Sequence, residues 1–527
     1  MFEHPTHQWR DRLWYTARTW RVLGSQTKVG LTHLAEAQPM NRVDELFQIH
    51  APWALHDRRW LLTPFERFMW SDDRPRFPLV FQVDICFEGP LDAATMQEAF
   101  RFAVGRHPLL RATIHGTGRR ATWVAPAIGW PELGVFPRDC RDEPRLAAID
   151  LTTSPGLRGW MRETATGWDI KLLFHHACCD GQGARMFIQD MVLAYALLRG
   201  VSQDRSPFFR LDVAELDRRG SYPAAVGRAT RLGWKLKNFW WFFSRRPLPT
   251  ATGVGLKVAL QGGDDRAEAG DQGISGSGKE AEIGLCSHTF SPEVSAMLQD
   301  PQRRKDVSLN AVAVAILFSV LGEWQRSHGV KPASWVRVSV PSDLRGREDE
   351  RMPAANRYTY VFLNRRVADC GGWKELLTGV QAELQERLQT RFGVNFLARL
   401  RFLANRPRLM RWALGRETCF STAVLTNLSD PSRRLRKRLP VDADQFFWLD
   451  GARCHDLTIC TPPLRPKTHW GIGIFEYAGR ITVTFRYNRR TITAADAEGM
   501  LARYIECWQE WLTATADRTD TAAAVTV

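Results

Sequence analysis

The chain has 527 residues, 44% apolar and 24% charged, a balance that supports two or three domains or one large two-lobed unit without disulfide staples. Its ten cysteines include no CxxC pair, which excludes zinc-ribbon and thioredoxin readings, and its longest strongly apolar run, 311–321, is about half of a bilayer span. A formal charge of +15 favours an acidic partner, and 21 tryptophans among the arginines suit a membrane-interface surface.

In chain order, residues 1–50 read as an N-terminal helical extension, with HQWRDRLWYTARTWRVLG mixing Trp and Arg. A first lobe is expected over 51–225. After LTPFERFMW it holds the strand FPLVFQVDICFEG, a helix over LDAATMQEAFRFAVGRHPLL capped by Asp92, and the strands RATIHG and ATWVAP. A further strand runs into FHHACCDGQG, 174–183, followed by the helix GARMFIQDMVLAYALLRG. Residues 226–285 join a basic aromatic segment, RLGWKLKNFWWFFSRRP (beginning at 231), to a Gly/Ser/Asp-rich flexible linker. A second lobe is expected over 286–515. It contains the buried helix SLNAVAVAILFSVLGEW, the strand WVRVSVPSDLRG, the amphipathic helix KELLTGVQAELQERLQTRF, the segments CFSTAVLTNLSD and LTICTPP, the hairpin WGIGIFEYAGRITVTFRYN and a last helix. A disordered tail is expected over 516–527, and no short internal repeat is visible.

The stretch FHHACCDGQG carries the chemistry. Neighbouring residues on an extended chain point to opposite sides, so His175 and His176 do not serve one site together, and a metal pair is disfavoured. One histidine entering a cavity is a general-base candidate near neutral pH, while a carboxylate and a Gly turn fix the backbone around it.

The spacing HHxxxDG, filled by His175, His176, Asp180 and Gly181, resembles the signature of the acyl-CoA-dependent acyltransferase superfamily. That group includes chloramphenicol acetyltransferases, carnitine acyltransferases, plant acyltransferases, nonribosomal peptide condensation domains, alcohol acetyltransferases and wax ester synthases. The context resembles it too: Thr63-Pro64-Phe65 opening a helix, Gly89-Pro90-Leu91-Asp92, and Arg106-His107-Pro108-Leu109-Leu110-Arg111. In the second half, VSLNAVAVAIL carries Ala311 where the family has Asp, and ANRYTYVFL and LTNLSD lack the family's Gly. The resemblance spans about 55–515.

The resemblance implies an α/β fold of two chloramphenicol-acetyltransferase-like lobes forming a V-shaped pseudo-dimer with a central channel. It implies His176 as the base that takes the acceptor's proton, and Asp180 as a structural residue paired with an arginine, Arg345 first and Arg111 second. Gly181 would let an amide approach the reacting carbonyl, His175 would be a structural neighbour, and Thr426, Asn427, Asn356 and Asn310 would line the channel. It further implies an enzyme with no metal and no permanently bound cofactor. The donor would be acyl-CoA or a phosphopantetheine-linked acyl thioester, and the acceptor a hydroxyl or an amine. A condensation-type amide former on carrier-bound substrates is the alternative, and a non-catalytic scaffold of the same fold is the reading from another class. The expected setting is a cytoplasmic monomer whose candidate partners are an acidic acyl carrier protein and, on the inner face, an anionic membrane surface. No nucleic-acid partner is expected. The membrane reading rests on the basic aromatic stretches at 9–23, 228–246 and 397–416.

Overall fold

The computed structural model describes residues 42–140, 148–201, 207–222, 283–304, 307–389, 393–415, 419–459, 462–489 and 491–524. The basic aromatic stretches at 9–23 and 228–246 and the linker at 261–282 lie outside the described residues. The first half runs α1 (Arg42–His50), β1 (Arg58–Leu61), α2 (Pro64–Asp72), β2 (Val80–Glu88), α3 (Ala93–Arg106), β3 (Thr113–His115), β4 (Thr122–Ala125), β5 (Leu133–Phe136), β6 (Leu157–Glu163), β7 (Gly167–His175) and α4 (Gly181–Leu198). The second runs β8 (Ile283–Thr289), α5 (Pro292–Gln299), α6 (Leu309–Ser327), β9 (Trp335–Asp343), β10 (Tyr358–Arg366), α7 (Trp373–Gln389), α8 (Gly393–Ala404) and α9 (Pro407–Gly415). It continues with β11 (Ala423–Asn427), β12 (Trp448–Leu449), β13 (Ala452–Ile459), β14 (Trp470–Tyr477), β15 (Arg480–Asn488) and α10 (Ala494–Ala524).

Local chemistry sets many of these boundaries. Thr63 and Glu66 form a reciprocal capping box that starts α2, and the Asp92 carboxylate accepts the Thr95 N–H at 2.7 Å to start α3. Ala478 and Gly479, with φ of 48° and 69°, make the two-residue turn between β14 and β15, as the right-handed twist of a hairpin requires. The apolar run at 311–321 is wholly buried as the middle of α6, a core helix. No described helix is long and apolar enough to cross a membrane.

The result is a two-lobed mixed α/β fold. One lobe is built on the sheet β12-β13-β2-β7-β6-β5, antiparallel except for the β5–β6 edge, with the small sheet β1-β4-β3 beside it. The other lobe is built on β10-β9-β11-β14-β15-β8, where β11 runs parallel to both its neighbours. Two differences from the sequence reading follow. A division near 286 does not partition the sheets: β13 crosses back to pair with β2, matching Arg453 with Glu88 and Ile459 with Val83, because its alternating buried positions complete the first sheet's core. The helix α10 also continues to Ala524 where a disordered tail is expected from 516; the run ATADRTDTAAA is rich in alanine, the strongest helix former.

Candidate active site

The strand β7 lies between β2 and β6, with Val80 opposite His175 and Phe81 opposite Phe174. The strand therefore delivers its last residue to the centre of a rigid sheet. His175 turns into the protein: it is fully buried, its Nδ1 accepts the Ala177 N–H at 3.1 Å, and its Nε2 lies 3.5 Å from the Asp73 carboxylate. His176 turns the other way and is only half-buried, its backbone N–H held by the Leu79 carbonyl at 2.7 Å. Its ring packs between Phe81 and Tyr358, with centroids at 5.2 and 5.3 Å. Desolvation of the ring lowers its pKa from the ordinary histidine value, which favours the neutral imidazole.

Asp180 begins α4 and accepts four hydrogen bonds of 2.9 Å. Two come from the Arg345 guanidinium, one from the Gly183 N–H and one from the Arg357 N–H. Burial works to raise this carboxyl, but the charge and hydrogen bonds of Arg345, joined by the two amides, hold it below the usual carboxylate range. Those four bonds hold the carboxylate at the start of α4 and tie it to the second half of the chain. A Cβ on Gly181 would stand 2.7 Å from Cδ2 of Leu428, so its bare Cα lets the other lobe close on the helix start. Burial raises the thiols of Cys178 and Cys179, which disfavours their thiolate forms.

Two cavities meet at the His176 ring, and Tyr358 and Tyr360 border both. The larger one, of about 100 Å³, has a mixed lining in which Asp180, Gln182, Arg345, Thr426 and Asn427 face Phe81, Leu428 and Ile459. The aromatic one, of about 40 Å³, is lined by Phe65, Phe68, Met69, Val424 and Phe420 among others, with Arg465 donating to Asp72 at 2.9 Å on its wall. Arg345 also borders a wider cleft of about 1000 Å³ that carries Arg185, Arg433, Arg434 and Lys437.

Not every expected site residue reaches this place. Arg111 does not: it is buried in the first lobe, donates to the Pro126 carbonyl at 2.6 Å and stacks over Trp130 at 4.3 Å. Asn356 grips the motif from behind and is not among the residues lining the two cavities at His176, its Nδ2 donating to the carbonyls of His176 and Ala177 at 2.9 and 2.8 Å. Asn310 likewise lies behind, its Oδ1 accepting from Asn427 at 2.8 Å. The Arg106-His107 pair has a separate task. Arg106 donates to Asp190 of α4 at 2.6 Å, while His107 Nδ1 accepts the Ala354 N–H at 3.0 Å, so this phrase ties α3 to α4 and to the loop that carries Asn356.

No protein-family model and no curated protein sequence matches the chain. Solved structures do match. A starter condensation domain of rhizomide synthetase, in complex with C8-CoA and Leu-SNAC, superposes with a TM-score of 0.56 at 14% identity, over 86% of this chain and 94% of that one. The first condensation domain of the CDA synthetase gives a TM-score of 0.58 at 16% identity, over 86% and 96%. The epimerization domain from the third module of tyrocidine synthetase B gives 0.59 at 12% identity, over 88% and 97%. The chain has the condensation-domain fold.

Within this condensation fold, several residues that shape the site are not visible in the motif. Tyr358 and Tyr360 alternate along β10 and so share one face; that spacing is readable in RYTYVF, but which face meets the histidine is not. Phe65 and Phe68 are one helical turn apart on α2 and line the aromatic chamber together.

Proposed function

We propose that this chain is an acyltransferase that moves an acyl group from a CoA or phosphopantetheine thioester to a hydroxyl or amine, with His176 as general base. The observation that carries this reading is the one histidine, His176, that borders both cavities. An acceptor O–H or N–H gives its proton to His176 as its heteroatom attacks the thioester carbonyl carbon. The tetrahedral intermediate then collapses, the C–S bond breaks, and the imidazolium returns the proton to the leaving thiolate. Near the reacting carbon, the first amides of α4 are among those that lack an intrahelical acceptor, which suits a developing oxyanion. The aromatic chamber suits an apolar acyl group. The basic cleft beside Arg345 suits the phosphate of the donor's carrier arm, whether from CoA or from a carrier protein.

Amide formation on carrier-bound substrates is the second reading, and it is supported by the condensation domains among the structural neighbours. Because an epimerization domain shares the fold, the fold alone does not choose the reaction. The test is thiol release from a panel of acyl-CoAs and acylated carrier proteins with alcohol and amine acceptors. Release that requires both an acceptor and His176 supports acyl transfer, and acceptor preference separates ester from amide formation. Thiol release that is unchanged in His176→Ala sinks both.

A further inference from the structure

We propose that the α8–α9 hairpin is a docking face that seats this chain on an anionic lipid bilayer. The proposal is independent of the reaction assigned above. Each helix of the hairpin buries one face and repeats the same pattern on the other. The exposed stripe of α8 runs through Ala398, Arg401 and Phe402 to Asn405 just past its end, and on α9 it is Arg408, Arg411, Trp412 and Gly415, both at i, i+3, i+4 and i+7. The opposite faces are spoken for: Leu397, Leu400, Ala404, Met410 and Leu414 belong to the first lobe's core.

The outer stripes thus set a large ring beside an arginine twice over. Phe402 and Trp412 remain 54% and 56% exposed, which is unusual for side chains of that size, and Arg406 stacks over the Phe402 ring at 3.8 Å. From 388 to 416 the sequence contains no Asp or Glu, while Gly393–Gly415 alone carries five arginines. An acid-free basic segment with exposed aromatic rings among its cations matches the electrostatics and the apolar depth of an anionic membrane interface. The inner side of the same hairpin points to the same partner. Phe396 of α8 packs edge-on to Phe65, Phe68 and Tyr360, with centroids at 6.4, 6.3 and 5.9 Å, and those rings line the aromatic chamber at His176. The hairpin therefore stands between that apolar chamber and the solvent.

The experiment is co-sedimentation of the full-length protein with vesicles of phosphatidylcholine alone and of phosphatidylcholine with an equal part of phosphatidylglycerol, at low and high salt. Binding is expected on the anionic vesicles and is expected to weaken with salt. Each basic side chain at such a surface adds about fivefold to binding, so Arg401→Glu with Arg411→Glu lowers the partition by at least about 25-fold. Phe402→Ser with Trp412→Ser lowers it comparably, while far-UV circular dichroism and the thermal midpoint stay unchanged. If a double variant does not fold, the single substitutions Arg401→Gln and Arg411→Gln read the same loss on a smaller scale. The proposal is overturned by equal binding to neutral vesicles, by full binding of the hairpin variants, or by a concentration-dependent dimer that Trp412→Ser abolishes. The second outcome would assign any membrane affinity to another part of the chain, and the third would assign the face to a second copy.

Discussion

Asp180 and Arg345, 165 residues apart in the chain, are joined by two parallel hydrogen bonds of 2.9 Å. The first belongs to the helix start behind the histidine motif and the second to the loop after β9, so one ion pair fastens the two halves of the site. The same carboxylate caps α4 through the Gly183 N–H, and no oxygen is left over for chemistry.

Removing one partner of a mostly buried pair typically costs about 3–5 kcal/mol. Asp180→Asn is therefore expected to lower the unfolding midpoint and activity together, while Arg345→Lys, which gives up the bidentate geometry, loses less. The sign of the pH effect follows from the depressed carboxyl. A lowered folded pKa contributes stability that is present above the unfolded value and lost as pH falls through the folded one. Acid unfolding below about pH 4 should accordingly be shallower in Asp180→Asn than in the parent. An unaltered acid transition in a folded variant would show that Asp180 contributes no such term.

Loss of a general base costs about 10²–10⁴-fold in rate. His176→Ala is expected to lose that much turnover with its thermal midpoint intact, whereas His175→Ala, at a fully buried position, loses stability first. Because burial lowers the His176 pKa, the rising limb of kcat/KM against pH is expected below the ordinary histidine value of 6.5. A limb centred above it, or a His176→Ala enzyme with parental turnover, contradicts the assignment.

Gly181→Ala offers a rescue test. The new methyl would stand 2.7 Å from the tip of Leu428, and that side chain can be shortened. Leu428→Ala is expected to restore most of the activity lost in Gly181→Ala. Gly183→Ala meets Cβ of Cys179 at 2.9 Å and the Ala355 backbone nitrogen at 3.2 Å, so it should resist rescue by any single truncation in that loop. If Leu428→Ala leaves Gly181→Ala inactive, the glycine serves the reacting atoms directly and not the packing.

The aromatic chamber holds only about 40 Å³, so one added ring closes it. Val424→Phe is expected to cut turnover of long acyl thioesters at least about tenfold relative to acetyl thioester, since overpacking a filled site costs about 1–3 kcal/mol. Thiol release across a chain-length series measures this, and a uniform loss at every length would show that the acyl group does not enter the chamber.

How much of this was legible beforehand depends on whether the residues are contiguous. The turn from His175 to Gly181 is local chemistry, readable as a strand end, a cap and a helix start. The elements were readable for the same reason, through the Asp92 cap and the hairpin segment WGIGIFEYAGRITVTFRYN. Arg111 misleads because a phrase such as RHPLLR does not say which arginine faces which acid. The fold spends Arg106 on Asp190 and covers Arg111 with Trp130. The clamp by Asn356 depends on where a loop from the second half lands, and nothing in its neighbours specifies that it will grip the carbonyls of His176 and Ala177.

The crossing of β13 has a consequence for how the chain comes to be made. The central strand β2, at residues 80–88, has β7 on one flank and waits on the other for residues 452–459. During synthesis from the N-terminus, this sheet presents an open, apolar edge until residues 452–459 have emerged, and such edges recruit other strands. Fragments cut near residue 286 are then expected to be sticky rather than independently soluble. Supplying the 448–459 hairpin in trans should quieten the first-half fragment, just as a missing strand completes a sheet from outside.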